Sequence, residues 1–190
     1  MLIVSKYDLE PSSDPQVFLV RSAEIVPCPC CQSTLSSIGR RVRIWILGSG
    51  EIRYLKIRRL RCKRASCRRI HHELPNCLIP YKRYGAASIE QALGDAPITV
   101  AADNSTLYRW RRWFSAWAAY AAGCLASIAY RFGLSVTSFS SSPAPQTVLQ
   151  HVERFVGNLP GWLSRSVRSI VNDHSWVTHP FGIPVRFSSG

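Results

Sequence analysis

Two close-set cysteine pairs constrain this chain more than any other feature: Cys28-Pro-Cys-Cys31, thirty residues, then Cys62-Lys-Arg-Ala-Ser-Cys67. Such pairs suit a tetrahedral zinc ion, because each bites the metal from a tight turn and thiolate sulfur matches its borderline-soft character. The intervening chain must bring the pairs together, and its pattern supplies a hairpin for that purpose. Val42, Ile44 and Ile46 share one face, Arg43 and Trp45 the other, and Gly48-Ser49-Gly50 offers a turn before Ile52 to Leu60. Cys28 and Cys31 have the C-x2-C knuckle spacing, whereas Cys62 and Cys67 form a longer C-x4-C. Cys30 competes with Cys31 as a ligand, and His71, His72 or Cys77 with a member of the second pair.

Seven cysteines is an odd number, and the N-terminus lacks a basic stretch followed by a long apolar run and a cleavage site. The expectation is a cytoplasmic protein whose clustered cysteines bind metal rather than form disulfides.

The charge is concentrated around these cysteines. The chain carries +13 overall, and residues 40–83 hold fourteen of the 24 Lys and Arg with only two acids, Glu51 and Glu73, a net charge of +12. Nucleic acid is the commonest partner of such a segment. The cations expected to contact it are Arg40, Arg41, Arg43, Arg58, Arg59, Arg61, Lys63, Arg64, Arg68 and Arg69, with Lys82 and Arg83 of the connector Pro80–Gly85.

Met1 to Val26 contains two short apolar runs, Leu2-Ile3-Val4 and Val17-Phe18-Leu19-Val20, which read as strands around a Pro, Ser and Asp stretch. Beyond the connector the period becomes helical. A short helix is expected over Ser88 to Leu93 and a long one from Ser105 to about Phe132, with Asp103, Asn104 or Ser105 as its cap. The inward stripe of the long helix includes Leu107, Trp110, Trp113, Phe114, Trp117, Ala121, Cys124, Leu125, Ile128 and Phe132. Near its start, Tyr108, Arg109, Arg111 and Arg112 stand where a recognition helix meets a DNA groove, so the region is helix-turn-helix-like. Trp113 to Tyr130 are eighteen residues without a charge, but their large apolar side chains keep to one stripe, as in a packed helix, so no membrane partner is expected. Thr147 to Val156 and Trp162 to Val171 carry two further helical stripes.

Catalysis is not expected. His71-His72-Glu73-Leu74-Pro75 lacks the second histidine of the H-E-x-x-H metalloprotease helix, and Pro75 would interrupt that helix. No phosphate loop or nucleophile elbow occurs, and only Glu153 and Asp173 lie beyond Asp103 to supply carboxylates. No small-molecule substrate is evident.

Cys28-Pro-Cys-Cys31, Arg58-Arg-Leu-Arg-Cys62, Arg69-Ile-His-His-Glu-Leu-Pro75, Pro80-Tyr-Lys-Arg-Tyr84 and Ser105-Thr-Leu-Tyr-Arg-Trp-Arg-Arg-Trp-Phe114 together resemble an uncharacterised bacterial family known as a domain of unknown function, over nearly the whole chain. More distantly, the order of knuckle, basic hairpin, Arg-rich strand and helix-turn-helix is similar to the N-terminal region of insertion-sequence transposases. That resemblance implies DNA binding linked to mobile elements or transcription, and it maps zinc ligation onto Cys28, Cys31, Cys62 and Cys67. The transposase catalytic domain is absent from the resemblance, and with it the nuclease inference. RNA or a transposase-like protein are the alternative partners.

The expected protein is therefore α+β, with an N-terminal zinc-ribbon β hairpin region followed by a helical, helix-turn-helix-like region. Its expected divisions are a basic ribbon domain over 1–84, a helical region over 85–134, a Ser/Pro linker over 135–146, and a C-terminal helical segment and tail over 147–190.

Overall fold

The computed structural model describes residues 1–94, 96–133 and 148–173. Six strands come first: β1 (Leu2–Val4), β2 (Tyr7–Pro11), β3 (Val17–Ser22), β4 (Leu35–Ile46), β5 (Ile52–Cys62) and β6 (Ile70–Pro75). Four helices follow: α1 (Ala86–Leu93), α2 (Asn104–Arg131), α3 (Val148–Val156) and α4 (Trp162–Asn172). The expected linker over 135–146 and the tail beyond Asp173 lie outside the described residues.

Strands β4 and β5 form the central hairpin. Their pairing runs from Ile46↔Ile52 at the turn to Leu35↔Cys62 at the far end, with one bulge between Ser37 and Gly39. Gly39 takes φ 131°, a conformation that L side chains rarely adopt. The outer edge of β5 is shared. Its first half pairs parallel with β3, Tyr54–Lys56 against Val17–Leu19, and its second half antiparallel with β6, Arg59–Arg61 against His72–Ile70. Strand β1 extends the sheet parallel to β6, and β2 extends it antiparallel to β3.

Paired residues point to the same side of a sheet and successive residues to opposite sides, so this register sorts the apolar residues into two sets. Ile3, Val20, Leu55, Ile57 and Leu74 face the helices and join a core with Ile89, Trp110, Phe114, Trp117, Val152, Leu163 and Ile170. Leu2, Val4 and Leu60 face the other way and form a small separate cluster against Tyr7, Val26 and Leu35. The alternation expected in β4 is present. Its Val42 side, however, is the open one, with Val42 exposed, while Trp45 packs against the large core.

The helices lie close to their expected spans because their stripes are clear. Asp103 caps α2, accepting hydrogen bonds from the Thr106 amide at 2.7 Å and the Ser105 hydroxyl. Helix α2 buries Trp110, Phe114, Trp117, Ala118, Ala121 and Leu125. Phe132, expected at the inner end of that stripe, is instead exposed at the helix C-cap. No helix among the described residues is long and apolar enough to cross a membrane. The chain between α1 and α2, residues 94–103, is longer than the three to four residues that join a helix-turn-helix pair.

The C-terminal helix returns to the first strand. Asn172 receives the Ile3 amide and donates to the Ile3 carbonyl. Glu90 of α1 accepts the Gly161 and Leu163 amides at 2.6 and 2.9 Å, which completes the start of α4.

Candidate metal centre and basic faces

The Leu35↔Cys62 end of the hairpin carries both knuckles. In the first, the Cys31 and Gln32 amides both donate to the Cys28 carbonyl, and Gln32 turns left-handed at φ 59°. In the second, the Cys67 and Arg68 amides both donate to the Arg64 carbonyl, and Arg68 turns left-handed at φ 44°. The two turns have the same hydrogen bonds, with Arg64 in the place of Cys28. The first ligand of the second pair has moved two residues back, onto the end of β5. The longer C-x4-C spacing thus draws one cysteine from the strand end and one from the turn. Pairing ties the turns together: Lys63 N–H donates to the Thr34 carbonyl and Cys62 N–H to that of Arg69.

The result is that the sulfurs of Cys28, Cys31, Cys62 and Cys67 all lie within 4.8 Å of one another. Cys28 Sγ is 3.8 Å from Cys67 Sγ, and Cys31 Sγ is 3.4 Å from Cys62 Sγ. Zinc–sulfur bonds of about 2.3 Å in a tetrahedron require sulfurs about 3.8 Å apart, so the donor set fits a metal ion of that size and softness. The cysteines are free rather than bridged.

Three of the clustered thiols are moved from the ordinary cysteine value. Burial pushes the Cys28 thiol up to about 12 and also raises that of Cys62, whereas the Ser33 amide brings Cys31 down to about 7. A divalent cation stabilises all four as thiolates, so binding releases protons and weakens in acid.

Of the rival ligands, two lie beside the four-sulfur cluster and two do not. Cys28, Cys30 and His71 form a second close group, with His71 Nε2 3.4 Å from Cys28 Sγ and His71 itself buried. Because this group shares Cys28, His71 and Cys30 flank the four-sulfur site rather than form one elsewhere. Arg69 Nη1 lies 3.6 Å from Cys30 Sγ. Cys77 and His72 belong to neither group.

The expected nucleic-acid contacts fall on different surfaces. By register, Arg40 and Arg58 share the sheet face that carries Leu60 and Cys62. Arg58 is engaged there, donating from Nε and Nη2 to the buried Glu73 carboxylate at 2.7 Å each. Sequence reasoning missed this role of Glu73, although an acid within so basic a segment was a signal. Arg41, Arg43, Arg59 and Arg61 occupy the opposite, helix-facing side, beside His72. Lys63, Arg64, Arg68 and Arg69 are exposed around the second knuckle, and Arg83 is exposed on the connector. Lys82 sits with its Nζ 4.3 Å from the centre of the Trp113 ring.

On α2, Tyr108, Arg109, Arg111 and Arg112 are exposed. Arg109 donates back to the Ser105 carbonyl and to the Ser105 and Thr106 hydroxyls, and Arg111 Nε donates to the Ala92 carbonyl.

Residues 28–110 match the model of a family described as a domain of unknown function (DUF6431). The matched span begins at Cys28 and ends inside α2, so it takes in both cysteine turns, the hairpin, β6, the connector and α1. This is narrower than the near-complete resemblance expected from the motifs. No curated protein and no solved structure matches the chain.

Proposed function

We propose that this chain is a zinc-dependent nucleic-acid-binding protein without catalytic activity, in which a zinc ribbon stiffens a basic sheet that contacts DNA. The supporting observation is the convergence of four sulfurs at one end of a hairpin within the +12 segment. Cys28, Cys31, Cys62 and Cys67 would hold the ion. It supplies no chemistry beyond cross-linking two turns, since four protein thiolates leave no open coordination position.

The DNA contact is assigned to the cations of the sheet and to Lys82 and Arg83 of the connector rather than to α2 acting as a recognition helix, given the long 94–103 segment. Tyr108, Arg111 and Arg112 remain available as flanking contacts. Association with mobile elements or transcription rests on the motif resemblance alone.

The test is direct. Metal is quantified in purified protein, and binding of a labelled DNA duplex is then measured across a salt series with and without the metal. One zinc per chain is expected, with affinity falling steeply as salt rises and weakening when the metal is removed. Folded protein without stoichiometric zinc removes the ribbon assignment, and binding indifferent to salt points to an apolar protein partner instead.

A further inference from the structure

The register assembles Arg41, Arg43, Arg59 and His72 at one corner of the helix-facing side of the sheet. Arg41 and Arg43 lie two residues apart on β4, so they share a face at a separation of about 7 Å. On β5, Arg59 pairs with Gly39 on one edge and with His72 on the other. A side chain built on Gly39 would meet nothing within 4 Å, so the surface beside Arg59 is open.

The corner holds excess positive charge. The two acids of the segment are used elsewhere: Glu73 pairs with Arg58 on the opposite face, and Glu51 pairs with Arg53 at the hairpin turn. Among the described residues, the ion pairs engage none of Arg41, Arg43 and Arg59. Arg43 is half-buried. Its Nη2 donates to the Lys82 carbonyl at 3.3 Å, but its buried Nε has no hydrogen-bond partner. A buried donor without an acceptor is a cost carried by the fold, and it leaves the outer guanidinium nitrogens of Arg43 as its contacts to the surface. The same crowding shows in the titration of the group: burial, then Arg41 and Arg83, lowers the Arg43 pKa. His72 is likewise lowered by burial and then by Arg41, Arg59 and Arg43.

Beside this corner, the connector presents an aromatic ring at the expense of backbone strain. Tyr81 has φ 64°, a left-handed conformation that is an outlier for so bulky a residue, yet its side chain is 60% exposed. The chain on either side is tied down. Lys82 N–H donates to the Ile79 carbonyl, Ile46 N–H to that of Arg83, and Gly85 N–H to that of Ile46. Tyr81 is the third residue of the turn that Pro80 leads and Lys82 N–H closes onto the Ile79 carbonyl, a position that takes positive φ, and the turn leaves its ring exposed.

We infer that Arg41, Arg43, Arg59 and Tyr81 form a site for one unpaired nucleotide, the arginines gripping its backbone phosphate and the tyrosine ring stacking on its base. This rests on the nucleic-acid role proposed above and narrows it to strands with an accessible base face. Stacking platforms beside cationic grooves serve single strands because every base has a π-face, whereas the bases of a closed duplex are already stacked.

The test uses the full chain with its metal and three labelled probes of one sequence: a single DNA strand of about 15 nucleotides, the same strand as RNA, and the DNA duplex. Tyr81→Ala should weaken binding of the preferred single strand about tenfold, with duplex binding unchanged, and Tyr81→Phe should retain wild-type affinity. Arg41→Gln combined with Arg59→Gln should lower the slope of log K against log salt on single strands by about 0.7, the value for one lost phosphate contact. Melting temperature and zinc content of each variant establish that it is folded. Unchanged single-strand binding in folded variants overturns the site while leaving the proposed function standing, and so does an equal loss on duplex and single strand in Tyr81→Ala. A wild-type protein that binds none of the three probes overturns the proposed function itself. A difference between the DNA and RNA strands identifies the source of the nucleotide.

Discussion

The two faces of the sheet are held together by different means. On the helix side, β1, β3, β5 and β6 contribute to a core closed by all four helices, with Leu55, Ile57, Ile89, Leu163 and Ile170 fully buried. On the other side the apolar cluster consists of Leu2, Val4 and Leu60. Its neighbours by register are His71, Glu73 and Cys62. A cluster that small cannot offset the entropy of ordering two turns. Polar chemistry takes over there, with Arg58 satisfying Glu73 and four sulfurs close enough together to hold one metal ion. The lesson is that one sheet can be stabilised by apolar area on one face and by a buried ion pair on the other, beside a sulfur cluster suited to a metal ion.

Removing the metal should break this contrast most visibly. A strong chelator is expected to release amide protection around 28–34 and 62–69, while the amides of α2 and α4 keep theirs, read by hydrogen exchange. Binding energies of structural zinc in finger peptides, about 10–16 kcal/mol at neutral pH, show how much stabilisation can be lost locally. Uniform loss of protection across all four helices would mean that the two faces do not unfold separately. Cys62→Ser should reproduce the chelator pattern in the presence of excess zinc.

The next effect belongs to the ion pair on the same face. Arg58→Ala leaves the Glu73 carboxylate buried at 2% exposure without its partner. A cost of about 3–5 kcal/mol is expected in denaturant unfolding, with metal content retained. Arg58→Met combined with Glu73→Leu should recover most of that loss, since an apolar pair of similar volume leaves no uncompensated charge. If the single substitution proves mild, the pair is not what holds that face.

Much of the helix side was legible in the sequence, and less of the other. The stripes of α2 and α4 and the alternation of β4 are local patterns, so their periods show without knowledge of partners. The cysteine pairs were equally plain, because ligand spacing is a local property of a turn. Strand β2, with Asp8 and Glu10, and strand β6, with His71, His72 and Glu73, were not seen. Both are short and polar, and each becomes a strand only through pairing: β2 with the next strand β3, β6 with the preceding β5 and with the distant β1. The role of Arg58 was hidden for the same reason: its partner lies on β6, and without that strand one more arginine in a basic run reads as a surface charge. The shared helical period of Phe132 and the buried residues before it could not reveal that the helix ends at that point.

A third prediction concerns the residue that joins the two sides. Glu24 accepts hydrogen bonds from the Ser5 and Lys6 amides and the Ser5 hydroxyl, and pairs with Arg168 of α4. Burial alone would raise its carboxyl, but these bonds and Arg168 outweigh burial and bring it down from 4.5 to about 2. A depressed folded-state value contributes stability that is complete above the unfolded value and is lost as pH falls through the folded one. The contribution, about 2–3 kcal/mol after allowance for the partly exposed arginine, should therefore be present at pH 7 and disappear between about pH 5 and 2. Unfolding of Glu24→Gln and wild type across that range should converge as pH falls. Parallel curves would show that Glu24 acts through shape rather than charge.

The smallest expected effect lies wholly within the helix side. Glu90 of α1 closes the start of α4, where Gly161 has no side chain to serve as a cap. The arrangement replaces a local capping residue with a carboxylate from another helix, so it fixes the position of α4 as well as satisfying two amides. Arg165 holds the same turn from the other direction, donating to the Val156, Gly157, Leu159 and Pro160 carbonyls. Glu90→Ala should cost about 1–2 kcal/mol, as loss of a helix cap does, and increase exchange at the Gly161 and Leu163 amides. Zinc content and exchange at the knuckles should not change, because α4 docks on β1 through Asn172 and not on the cysteine turns. Faster exchange at the Cys28 and Cys67 amides in this variant would show that the helices and the metal face are coupled, and would replace the division drawn above with a single cooperative unit.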